Sequence, residues 1–259
     1  VIAALYTQIP EMGDKAGLGN VLLKKYLWSS FFTDRYENSA ASRAYADYIG
    51  LLNIIKGVIK PNGQPANEQD VPVLNRNSFP LANEEQLLNV AWPKRVSIRG
   101  RGILAVANYF GAYDFADGSV LTHTNVNKRE YHYIFPDALI EDANTYFIEN
   151  ELNSTVALNC ALITGNTNRT IGRKEPLTYL KERYEWVSEA IVTQRLNSHL
   201  IPIKELKAGD YLGLNDEEKA KKIKADYESF LSTRAELIVN AVKRLANGED
   251  VTTSEILQS

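Results

Sequence analysis

The sequence predicts an α+β protein, mostly α-helical: a helical body interrupted by a compact β-β-α insert at about 119–180. Three observations carry this. Long stretches on both sides of the insert repeat their apolar residues at helical spacing. Residues 119–136 and 156–163 change to short β-prone runs bounded by turn residues. Hydrophobic residues make up 44% of the 259, enough for a sizeable core and too many for a disordered chain.

The elements follow in order. Residues 19–33 place Leu22, Leu23, Tyr26, Leu27 and Phe31 on one helical face, and 39–58 do the same with Tyr45, Tyr48, Ile49, Leu52 and Ile55. The second helix carries Gly50 inside it, closes near Gly57, and is stopped by Pro61-Asn62-Gly63. Residues 62–80, rich in Gly, Pro, Asn and Gln, read as a long loop. Residues 83–92 and 100–112 are two further helices, separated by Pro93-Lys94-Arg95. Val120–Thr124 and Tyr131–Phe135 are strand candidates, with Asn125, Asn127 and Lys128 between them as turn residues. A loop and short helix lead to Asn153, Val156–Ile163 is a further strand, and a short helix or turn region runs to Pro176. Helices at 177–194 and 216–247 complete the chain, the latter with Leu231, Leu237, Ile238, Val242 and Leu245 inside. The sequence therefore divides into a helical region 1–118, the insert 119–180, and a C-terminal helical region 181–259 packing on it. It shows no internal repeat and no low-complexity tract.

Composition narrows the chemistry. Cys160 is the single cysteine, so an internal disulfide and a cysteine-based zinc site are excluded. A reducing, cytoplasmic setting is expected. No apolar run reaches the roughly 18 residues that span a bilayer, and no secretory signal is read at the start. Val1 in place of Met is read as the mark of a fragment or processed chain. A net charge of -3 and a pI near 5.8 neither support nor exclude nucleic acid, because a nuclease needs only a local basic surface.

The insert carries a constellation suited to a metal-dependent nuclease. In a ββα site, groups from the first strand and the helix converge on a divalent cation that stabilises charge on a phosphodiester. A neutral imidazole takes a proton from the attacking water. An Asn on the second strand holds the loop that carries the imidazole, and a Pro fixes the turn. His132 and Tyr133 lie together on the first strand, Pro136 follows at the turn, Asn159 is assigned to the second strand, and Asn168 comes nine residues later. Glu130 is two residues from His132, on the same strand face, and is a candidate second ligand. Arg169, Arg173 and Lys174 are candidate phosphate contacts.

Several features have plainer readings. His123 and His199 lack partners at metal-ligand spacing and read as structural or surface residues. Arg95, Arg99 and Arg101 read either as a phosphate-facing patch or as a solvated helix start. The lysines of 219–224 form an exposed helix face, and Cys160 is a buried small hydrophobe. Trp28, Phe31, Phe32 and Tyr36 are core, or an interface to a further domain.

Longer stretches carry a family resemblance: Tyr26 to Glu37, Tyr131 to Pro136, Asn166 to Leu180, and Arg195 to Pro202. Over most of its length the chain resembles the C-terminal portion of GmrSD-like proteins, in which a DUF262 domain precedes a DUF1524 nuclease domain. The family's Gln- and Arg-rich nucleotide-binding motif belongs to that N-terminal NTPase-like domain and is absent here. The resemblance implies an HNH-type, Mg²⁺- or Mn²⁺-dependent DNA endonuclease of a modification-dependent (type IV-like) restriction or anti-phage defence protein, acting on DNA that often bears modified bases. It implies that His132 is a metal ligand, that Asn159 and Asn168 are the supporting and metal-binding positions, and that Tyr133 stands where a His-His-Ile-Phe-Pro pattern has its second His, the general base. Tyrosine, with an ordinary pKa near ~10, is a poor proton acceptor at neutral pH. Loss of a positioned base costs ~10²–10⁴-fold, so the chain is expected to be catalytically crippled. Three alternatives stay open: His132 is itself the base with Glu130 the ligand; the chain is a catalytically inactive, nuclease-shaped DNA- or partner-binding module; or the target is RNA.

Overall fold

The computed structural model describes residues 1–94, 97–148 and 151–258. Within them the protein is mostly helical, with one two-stranded antiparallel sheet. The chain divides into two compact units: residues 1–83 with 240–251, and residues 84–239 with 252–259.

In the first unit α1 (Ile2–Tyr6), α2 (Asp14–Phe32) and α3 (Ala40–Lys56) pack Leu5, Leu22, Leu23, Tyr26, Leu51 and Ile55 into one core. Gly57 closes α3 in the left-handed conformation at φ 67°, which a residue without a Cβ adopts freely. Gly50 is required by packing, since a Cβ there would stand 3.1 Å from Val71 and 3.2 Å from the Asp70 carbonyl. The fully buried Asp47 accepts from Arg35 and from the Tyr36 hydroxyl at 2.6 Å, so the polar groups of this core are partnered. Residues 62–80 are loop apart from two short 3₁₀ turns at Glu68–Asp70 and Pro72–Leu74.

The second unit opens with the short α4 (Glu84–Leu88) and α5 (Ile98–Tyr109). Strand β1 (Arg129–Tyr133) pairs antiparallel with β2 (Cys160–Thr164), in a register that sets His132 opposite Ala161 and Tyr133 opposite Cys160. Between the strands runs α6 (Asp137–Asn144), and directly after β2 comes α7 (Gly165–Ile171). Next come α8 (Pro176–Tyr184), α9 (Glu189–Asn197), α10 (Ile203–Lys207), α11 (Asp216–Leu245) and α12 (Thr253–Leu257). The division between the units falls within α11, after Val239. Ile134, Phe135, Ala161 and Ile163 join Tyr179, Leu180, Tyr227 and Phe230 in one core. The Phe135 ring lies 5.0 Å from Phe230 and 5.2 Å from Tyr227, centroid to centroid.

The structure departs from the sequence expectations at three places. Val120–Thr124 is not a strand: it makes a single bridge, Tyr113 to Val120, because Asn125 turns the chain back by accepting from Thr122 N–H and donating to the Val120 carbonyl. The helix expected over 177–194 is two helices, with Ser188 capping the second by accepting from the Ile191 N–H. The helix expected over 83–92 ends at Leu88, and Trp92 and Ala157 then exchange backbone bonds with Thr155 and Val90.

Candidate active site

The site residues converge because the Tyr133–Pro136 segment is held from behind. Ile134 and Phe135 are fully buried, and a buried backbone that leaves a ladder must find other partners. Asn159 supplies them: its Oδ1 accepts from Phe135 N–H at 2.8 Å, and its Nδ2 donates to the carbonyls of Phe135 at 2.9 Å and Ser154 at 3.0 Å. The amide thus stands in for a facing strand residue. Asn159 itself lies in the 3₁₀ turn Ala157–Asn159 immediately before β2 rather than on the strand, because an extended residue there would carry its side chain away from Phe135. The Tyr179 hydroxyl donates to the Ile134 carbonyl at 3.1 Å, completing the set.

From that base β1 and α7 bring His132, Asn168 and Glu130 together. His132 Nδ1 and Asn168 Oδ1 are 2.9 Å apart, and Asn168 Nδ2 donates to Glu130 Oε2 at 2.8 Å. With its NH₂ group on Glu130, Asn168 presents an acceptor to His132, so the imidazole proton sits on Nδ1. Nε2 then carries the lone pair; it is buried, with no partner among the described residues. Burial holds the His132 pKa down at about 4, against the opposing pull of Asn168 and Asp114, so the ring is neutral at pH 7. Gly165, the first residue of α7, leaves room for the Glu130 carboxylate, which a Cβ there would strike.

These donors fit a divalent cation in one respect and constrain it in another. An imidazole nitrogen and an amide oxygen lie 2.9 Å apart, and their residues line a cavity of about 160 Å³ with Tyr133, Asp137, Glu141 and Arg173. Two protein ligands suit an open site whose other positions go to water or to substrate oxygens. Nδ1 must give up its proton to ligate, which moves that proton to the buried Nε2. Imidazole favours Mn²⁺ and later transition metals over Mg²⁺. Among the described residues no group of three His, Cys, Asp or Glu side chains forms a closed cage.

Tyr133 lies at the strand end with its ring stacked on Trp92, centroids 4.2 Å apart and planes 25° from parallel. Burial, then the neighbouring Asp137, Cys160 and Glu141, push its phenol above the ordinary tyrosine value. It is a hydrogen-bond donor at neutral pH, not a proton acceptor. Of the basic residues, Arg169 contacts Glu130 at 3.6 Å and donates to Asn166, and Lys174 pairs with Glu182 at 2.7 Å. Arg173 lines the cavity with no side-chain partner among the described residues.

Two supports went unread in the sequence. Asp114 is fully buried; its carboxylate accepts from Thr167 Oγ1 at 2.6 Å and from the N–H groups of Thr164, Ala116 and Asp117, and stands 3.5 Å from Arg129. Burial alone raises its pKa, but these donors outweigh burial and hold it lowered. It therefore fixes the start of α7, which carries Asn168. Its signal was the Asp114-Phe115-Ala116-Asp117-Gly118 turn pattern. Arg234, also fully buried, donates to the carbonyls of Leu158 and Cys160, at 2.5 and 3.1 Å on either side of Asn159, and to that of His199 at 3.0 Å. Phe230, Arg234 and Ile238 recur at i, i+4 and i+8, so helical periodicity already placed Arg234 on the apolar face of α11.

Of the remaining sequence candidates, Arg95 lies outside the described residues, His199 is buried with Nε2 2.8 Å from the Tyr113 carbonyl, and His123 is exposed. No described helix is long and apolar enough to cross a membrane. No family model matches the chain, and no solved structure matches it. Over 240 residues it is 22% identical to the uncharacterized protein MJ0686 of Methanocaldococcus jannaschii, covering 86% of this chain and 37% of that protein. The chain thus spans little more than a third of the length of this relative.

Proposed function

We propose that β1, β2 and α7 form a ββα-metal centre of the HNH type, within a GmrSD-like (DUF1524) nuclease region directed at DNA phosphodiesters, and that this chain's hydrolysis is crippled at Tyr133. One observation supports this most. An antiparallel pair followed by a helix sets His132 Nδ1 2.9 Å from Asn168 Oδ1, while Asn159 ties down the loop after the histidine. A divalent cation such as Mg²⁺ or Mn²⁺, when bound, would supply charge stabilisation to the phosphodiester. His132 and Asn168 would hold it, Glu130 orients the Asn168 amide, and Arg173 would meet a phosphate at the cavity wall. Tyr133 lines the cavity and, with its phenol pKa raised, cannot accept the water's proton. A role in restriction or phage defence, and a preference for modified bases, rest on the resemblance alone.

The second reading, an inactive DNA- or partner-binding module, is favoured by the Trp92 stack, which builds Tyr133 into an aromatic pair. Cleavage of supercoiled plasmid with Mn²⁺ separates the two. Tyr133→His is expected to cleave ~10²-fold or more faster than the parent, the usual worth of a positioned base. A parent that already cleaves as fast as the variant refutes the crippling. DNA binding without cleavage by either protein supports the inactive module.

A further inference from the structure

The outer face of β1–β2 carries a second cavity, of about 380 Å³, that the reading above does not use. Its one wall is a stripe of α5. Arg101, Leu104 and Asn108 recur at i, i+3 and i+7, so a cation, an apolar floor and an amide lie in line on one helix face. Leu162 of β2 and its cross-strand partner Tyr131 of β1 also line it, with His123, which is exposed. Arg101 and Asn108 are exposed, and neither side chain has a hydrogen-bond or ion-pair partner among the described residues. None of the described lining residues is acidic. The volume lies in the range of small-molecule sites, about 300–1,000 Å³.

Each group selects a part of a ligand. The guanidinium takes a phosphate or carboxylate in a fork of N–H donors. The asparagine amide offers a donor and an acceptor side by side, the pattern that pairs with adenine. The leucine floor and tyrosine ring take a flat apolar body. At ~1.5 Å per residue, seven residues separate cation and amide by about 10 Å along the axis, close to the reach from base edge to phosphate in a mononucleotide. The geometry points to an adenosine monophosphate site: base over Leu104 and beside Tyr131, base edge on Asn108, phosphate on Arg101. The nucleotide is either free or an unpaired unit of a single strand. The inference does not depend on the nuclease reading, because binding here needs neither metal nor His132.

Calorimetric titration of the full chain with 5′-AMP, adenosine and single-stranded oligo(dA) tests it. Saturable binding of 5′-AMP identifies a free nucleotide, and binding of the oligonucleotide alone identifies a strand. Arg101→Ala is expected to weaken the phosphate-bearing ligand about tenfold or more, the scale of a charge-assisted contact. Adenosine affinity stays unchanged in that variant, and Asn108→Ala weakens both. Both positions are exposed, and an unchanged thermal melt verifies the fold. The absence of saturable binding of any of the three ligands at millimolar concentration overturns the proposal, as does binding that neither variant alters.

Discussion

Lowering the pH below 6.5 should destabilise the second unit through its two buried histidines. His132 and His199 flank Phe115, with ring centroids 5.9 and 5.1 Å away, and each has one nitrogen in a hydrogen bond and one buried without a partner. Burial holds both pKa values at about 4, against an unfolded value near 6.5. A depressed histidine pKa means that the unfolded chain binds protons that the folded one refuses, so stability rises with pH and is lost as pH falls from 6.5 towards 4. At pH 5 the loss is about 2 kcal/mol per histidine, and at pH 4 about 3. Together these approach the whole stability of a typical domain, about 5–15 kcal/mol. Urea midpoints at pH 7, 6 and 5, for the parent and for His132→Asn and His199→Asn, measure the effect. The readout is the slope with pH, which separates proton linkage from the packing cost of each substitution. The parent's midpoint should fall steadily below pH 6, and each variant should show about half that slope. A flat profile from 6.5 to 5, or a slope that neither variant changes, refutes the assignment of neutral, sealed imidazoles. The same depression leaves His132 uncharged at neutral pH.

Two further substitutions test the supports of the site. Asn159→Ala strips partners from the Phe135 N–H and from two carbonyls at once. At ~1–3 kcal/mol per buried unsatisfied group, a loss of about 3 kcal/mol or more should appear in urea unfolding; a change under ~1 kcal/mol would mean that water replaces the amide freely. Asp114→Asn turns one acceptor oxygen into a donor facing the Thr164 N–H and Arg129. It should cost ~2 kcal/mol or more and speed amide exchange in α7 in particular; unaltered α7 protection would show that Asp114 does not hold that helix.

What could be read from the sequence was what local pattern encodes. α2, α3, α5 and α11 are legible because each repeats apolar residues at helical spacing, and β1 and β2 because β-prone residues cluster between turns. His132, Asn159 and Asn168, three residues of the candidate site, were picked out through motif spacing, and the structure brings His132 and Asn168 within 2.9 Å. The rest depends on contacts between distant segments, which no window of sequence contains. Trp92 reaches Tyr133 across 41 positions and Asp114 reaches Thr167 across 53. Val120–Thr124 was misread because its residues suit a strand while Asn125 closes a turn on them. Glu141 is similar: it lines the cavity only because Pro136 starts α6 beside the end of β1.

The cost of the supporting groups bears on how to read Tyr133. Asn159, Asp114 and Arg234 bury an amide, a carboxylate and a guanidinium with almost no solvent contact, and Arg234 has no carboxylate partner among the described residues, so burial lowers its pKa to about 10. Such groups stabilise a fold only when nearly all their bonds are made, and an apolar side chain of similar size is often no worse for stability. What they provide is geometry: one fixes the loop after His132, one the start of α7, one the backbone around Asn159. A protein needing only a stable helical body gains little from three such groups around one two-stranded sheet. On the proposed reading these supports keep His132 and Asn168 together, and Tyr133 changes the chemistry there without loosening them. A histidine at 133 would give up the Trp92 stack, worth ~0.5–1.5 kcal/mol beyond its area, and leave all three supports in place. Tyr133→His should therefore keep the fold, losing about 1 kcal/mol for the stack plus the area the smaller ring leaves unburied, which makes it a fair comparison for the chemistry rather than a test of folding.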